Sequence, residues 1–168
     1  MSAILTFHTA LGVLALVAGA VVLVVRKGTR AHRLLGRVYA AAMVVLCLAS
    51  FGIRDTTPFF SGYGPFHVAA LVSLASVLAG LSTAWRRRQG WLEGHYQWMA
   101  WSYIGLVMAT GGHVMRPVFL ALRDLGVPGG VALPLAIFVV WGLPPLVGSW
   151  WIARRKGDWD RLGEVATA

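Results

Sequence analysis

The chain has 168 residues, of which 58% are hydrophobic and only 12% charged, against about 25% charged in an ordinary soluble domain. Apolar runs of this extent cannot be hidden in so small a core, because much of a short chain's surface stays exposed, so a soluble globular domain is excluded and lipid is the expected solvent. The net charge of +9 does not point to nucleic acid, since the basic residues flank apolar runs and form no stripe with interleaved aromatics.

Five runs have the length that an apolar bilayer core of about 30 Å demands at 1.5 Å per helical residue. The first spans Ala3 to Val25. It has no basic stretch before it and is too long for a signal-peptide core, so it is expected to be retained as a helix. A basic turn follows, with Arg26, Lys27, Arg30 and Arg33. The second run covers Leu34 to Ile53, carries Arg37 near its start and holds the lone Cys47, which cannot form a disulfide within the chain. The third, Phe66 to Trp85, follows Pro65, a good first-turn residue. Arg86, Arg87 and Arg88 then precede the fourth run, Tyr96 to Met115. The fifth, Val131 to Ala153, contains Pro134, Pro144 and Pro145, which remove backbone donors and predict a kink.

None of the runs alternates with period two, so helices are the way to satisfy the backbone in lipid. The expected fold is an all-α membrane protein with a single transmembrane domain over 1–168. Four core helices form an up-down bundle, and a proline-kinked fifth helix is added to it. The basic turns, together with Arg154, Arg155, Lys156 and Arg161 in the C-terminal tail, lie on one side. Only Arg54, Arg116 and Arg123 of the 15 basic residues belong to the other side. By the positive-inside rule the N-terminus is expected outside and the C-terminus in the cytoplasm of a bacterial inner membrane. Tryptophans 85, 91, 98, 101, 150, 151 and 159 fall near the expected interfaces as an aromatic belt. Membrane lipids are expected neighbours of the basic flanks.

Ionisable residues at membrane depth are costly, which makes the histidines the informative positions. His8 and His67 are expected toward the outer ends of helices one and three, His32 and His95 at the inner starts of helices two and four. His113 follows His95 by five helical turns, about 27 Å, so the two are expected on one face of helix four. Helices one and three sit diagonally in such a bundle, as do two and four. Each diagonal pair can therefore supply one axial imidazole from either side of a b-type haem, His8 with His67 and His32 with His95. Gly12, Ala15, Gly19 and Gly36 leave room beside them, and Arg33, Arg37, Arg54 and Arg116 are candidate partners for propionates. Two haems stacked across the membrane form an electron path, with a redox partner or a second copy of the chain as possible associates.

Two alternatives stand beside that expectation. His8, His67 and His113 are three candidate ligands for zinc or copper with an open fourth position. No acidic residue falls within an expected helix to act as base beside them or to serve an ion relay. The bland alternative is structural: small residues spaced by four mark close helix packing, and interfacial histidines cap helices or bind water.

The segments HTALGVLALVAG, RKGTRAHRLLGRVY, GPFH, HYQWM and MRP resemble a bacterial family of small membrane proteins, domain of unknown function 2306, over about residues 5 to 117. The resemblance implies a membrane location and a four-helix core and no particular reaction. Its matching positions here are His8, His32, Gly36, Arg37, His67, His95, Met99 and Arg116. His113 is not among them, which favours paired imidazoles over a three-histidine metal site. The helix and ligand order is also similar to the ascorbate-reducible diheme cytochromes b, in topology alone.

Overall fold

The structure, a computed structural model, describes residues 3–54 and 62–155; Lys156, Trp159 and Arg161 lie outside the described residues. Seven α-helices follow in chain order: α1 (Ala3–Val24), α2 (Arg30–Ser50), α3 (Pro65–Arg86), α4 (Trp91–Ala109), α5 (Gly111–Asp124), α6 (Gly129–Ile137) and α7 (Leu143–Arg154). A π-helical turn, Phe138–Gly142, joins the last two. Four of the resulting segments are long and apolar enough to cross a membrane, and α4 with α5 makes a fifth if that bent pair counts as one span.

Helices α1 to α4 close a ring in chain order: α1 packs on α2, α2 on α3, α3 on α4, and α4 returns to α1. The diagonals are α1/α3 and α2/α4, as expected. Helix α7 lies against the outer side of α4. Inside the ring, Ala15 and Ala18 of α1 meet Tyr39, Met43 and Leu46 of α2, Val77 of α3 and Leu106 of α4. Water is absent at this depth, so the polar groups here must satisfy one another. Ser102 donates to the Met99 carbonyl at 2.7 Å, so the Tyr39 hydroxyl donates to Ser102 Oγ at 2.8 Å and ties α2 to α4. Tyr103 reaches the Leu16 carbonyl of α1 at 3.2 Å. Gly19 admits the Tyr39 and Tyr103 rings, where a Cβ would collide with both. Tyr39→Phe is expected to cost about 1 kcal/mol of stability. A thermal melt of the detergent-solubilised variant, set against that of the parent, checks it.

The expected fourth helix, Tyr96 to Met115, needs two corrections. It begins at Trp91, which brings Glu93 into its first turn. It also breaks at Thr110 and turns by 54° into α5. His113 therefore lies beyond the bend, not on the face of α4 that carries His95. The cause is local: Gly111 is buried where a Cβ would strike Val140 and Trp141, and Trp141 donates to the Met108 carbonyl at 3.0 Å. The neighbouring span is thus wedged into the break. The fifth span runs unbroken over Gly129–Arg154. Pro134 lies within α6, while Pro144 and Pro145 are accommodated by the π turn, where Leu143 N–H donates to the Phe138 carbonyl. That wider ring relaxes the clash that Pro144 would make one α-turn back.

Candidate functional site

The end of the bundle that carries the basic turns is built first by its caps. Gly28 takes a positive φ of 76°, and Thr29 caps α2 by accepting from the His32 N–H at 3.2 Å. This places His32 in the first turn. Lys27 folds back to donate to the last carbonyls of α1, Val22 at 2.7 Å and Leu23 at 2.8 Å, where the helix dipole favours a cation. Burial, and then the nearby Arg155, hold its ammonium below the usual lysine range.

His95 projects from the second turn of α4 toward α3, with Nδ1 2.8 Å from the Gly80 carbonyl. A carbonyl only accepts, so Nδ1 carries the proton and Nε2 keeps its lone pair. His32 lies near the end of α1 and within electrostatic reach of Lys27 and His95. Its Nδ1 is buried and has no hydrogen-bond partner. A turn away, Gly36 faces open space, with nothing within 4 Å of where its Cβ would be. Arg33 donates to Gly28 at 2.7 Å, and Arg37 is exposed.

At the opposite end His8 lies beside α2 and within electrostatic reach of His113. Its Nδ1 is likewise buried without a partner. His67 is engaged differently. As the third residue of α3, its Nδ1 accepts the Gly64 N–H at 3.0 Å, the reciprocal half of a capping box with imidazole in the place of the usual Glu, while the His67 N–H donates to the Gly64 carbonyl. The acceptor role of Nδ1 makes Nε2 the donor, to the Ile53 carbonyl at 2.9 Å. Both ring nitrogens thus fasten the start of α3 to the end of α2. Phe51 and Tyr63 pack around this ring, and Arg54 lies over Tyr63 at 5.2 Å. His113 and Arg116 are exposed on α5.

The structure therefore brings His32 and His95 within electrostatic reach at the basic end and His8 and His113 at the other, and it engages His67 with main chain. Among the described residues no three His, Cys, Asp or Glu side chains are grouped to hold a metal ion. Gly12 and Gly19, expected to make room beside His8, instead admit Leu46 and the two tyrosines.

The family model described as predicted membrane protein, DUF2306, matches residues 5–147. The chain belongs to this family. The DUF2306 match extends past the four helices that the sequence motifs cover and takes in α5, α6 and the π turn. No curated protein and no solved structure matches the chain. For this DUF2306 protein the apolar helices and the family agree on a multipass membrane protein.

Sequence reasoning misses three features of the site. The Glu93 to Gln97 hydrogen bond, 2.9 Å, depends on the early start of α4, and its signal is the i, i+4 spacing of the two residues. The Lys27 cap is written in a cation just past an apolar run. The His113 position follows from the break, for which Thr110, Gly111 and Gly112 are the only cue.

Proposed function

We propose that this DUF2306 protein binds b-type haem at the basic end of its bundle, through His32 and His95, and serves electron transfer in a bacterial inner membrane. The observation that carries the proposal is the state of these two rings. His95 is oriented by its Nδ1–H on Gly80, which leaves Nε2 as a lone pair, and His32 presents a buried nitrogen with no partner. A ring held by one N–H on a main-chain carbonyl is the arrangement by which proteins orient an imidazole ligand. The open space at Gly36 gives the pair room, and Lys27 and Arg155 supply cationic charge for carboxylates. Haem supplies a one-electron couple, and the helices keep water from it.

His8 and His113 are the candidate ligands for a second haem at the opposite end. There the expected partner of His8 changes from His67 to His113, since His67 has both nitrogens in hydrogen bonds.

The visible spectrum of protein expressed with ample haem, oxidised and then reduced with dithionite, tests the proposal. A Soret band with sharpened reduced bands supports it; a folded protein with neither band overturns it. In the second case the structural role gains the ground, and it has its own support. His67 and His95 each hydrogen-bond main chain on or beside a neighbouring helix, which fastens the bundle whether or not a cofactor binds.

The proposed orientation puts the basic end in the cytoplasm. A phosphatase that matures only in the periplasm should be inactive when fused after Ala168 and active when fused before α1. The reverse pattern would invert both ends.

A further inference from the structure

Outside the four-helix ring, α3, α4 and Trp141 bound an open apolar groove of about 980 Å³. This is at the upper end of the range for small-molecule sites. It contains none of the histidines. Along α4 the groove runs from Gln97 to Ala109, a length of about 18 Å at the rise of an α-helix. Trp98, Trp101 and Trp141 line it together with Phe66. The Trp141 ring is fixed by its bond to Met108 at 3.0 Å.

At the basic end the groove adjoins a smaller notch of about 260 Å³, and Gln97 and Trp101 belong to both. The notch is rich in acceptors. Gln97 Nε2 donates to Glu93 Oε1 at 2.9 Å, which leaves Glu93 Oε2 and Gln97 Oε1 to accept from a ligand. Ser149 donates to the Pro145 carbonyl at 2.7 Å and so offers lone pairs.

We infer that the groove and its notch together bind a lipid-soluble amphipath with a planar, hydroxyl-bearing head of the quinol class. An open apolar wall between membrane helices admits only ligands that arrive through the bilayer. Indole faces favour a flat ring over a branched head. The acceptors around Glu93 favour a head that donates hydrogen bonds, and the carboxylate opposes a phosphate. The long apolar section then takes the tail. Glu93 and His95 are two residues apart on α4, about 200° around the helix, so this site and the imidazole pair occupy opposite faces of one turn. The inference stands without haem, and its test uses protein purified without added haem.

Decylubiquinol, kept reduced under anaerobic conditions, is titrated against the detergent-solubilised full chain while tryptophan emission is followed. A saturable change in emission is expected. Ala69→Phe, which fills the groove, should abolish it. Glu93→Gln, which keeps the shape and removes the charge, should weaken binding about tenfold. Equimolar phosphatidylglycerol should not displace the quinol. A linear, non-saturating titration overturns the inference, as does undiminished affinity in Glu93→Gln. Equal displacement by phosphatidylglycerol also overturns it and makes the groove a general lipid seam. Should Ala69→Phe fail to fold, Glu93→Gln and the competition decide.

Discussion

Haem-replete protein carrying His32→Ala or His95→Ala should lose the Soret absorption of the basic-end haem, about half the total if both ends are loaded. Each substitution removes one of two axial ligands, which exposes iron and weakens retention. His95→Ala also removes the ring's hydrogen bond to the Gly80 carbonyl, so its stability should fall further than that of His32→Ala, by about 1 kcal/mol. His67→Ala separates this arrangement from a simple diagonal pairing. Its ring nitrogens are already bonded to Gly64 and Ile53, so the variant should be less stable with an unchanged spectrum. A spectrum halved by His67→Ala and untouched by His113→Ala would restore His8 with His67 as the second pair.

The second large effect lies in a contrast of two glycines. Gly19→Leu should cost about 3 kcal/mol or prevent accumulation, because even a Cβ there overlaps the rings of Tyr39 and Tyr103, and the overpacked α1 must move away from α4. At Gly36 an added Cβ meets nothing within 4 Å, so Gly36→Leu should leave the stability of haem-free protein within about 0.5 kcal/mol of the parent. In haem-replete protein the same leucine occupies the space beside His32, so the basic-end absorption should drop. Gel filtration of both variants after a heating series, with spectra of each peak, checks the two halves together. An unaltered spectrum in Gly36→Leu would mean that the room at Gly36 has no part in cofactor binding.

The apolar runs locate every span because one rise per residue and one bilayer thickness set their length. That signal stops where charge begins. Helix α2 starts at Arg30 instead of Leu34 because Thr29 supplies a cap, and hydropathy does not read caps. The same blindness hides Glu93, whose place in a helix follows from Gly90 turning the chain at a positive φ of 73°. The proposed pairing of His32 with His95 is legible because both follow basic turns at one end of diagonal helices. The pairing of His8 is not: it depends on the bend at Thr110, which the wedge of Val140 and Trp141 against Gly111 creates. His67 reads as a ligand by position, while its local GPFH context makes it a cap. Proline reads as a kink in the fifth span, and the π turn that absorbs it has no signature in the run.

The bend also divides the molecule by its response to the lipid around it. Membrane spans meet a change in hydrocarbon thickness by tilting or kinking, at a fraction of a kcal/mol per Å. Here the 54° joint between α4 and α5 is the one bend of a span among the described residues, and His113 lies beyond it. His32 on α2 and His95 on α4 both stand before that joint, and His95 is tied to α3. A change of bilayer thickness taken up at that joint would therefore alter the separation of His8 from His113 and leave His32 and His95, both on its near side, in register.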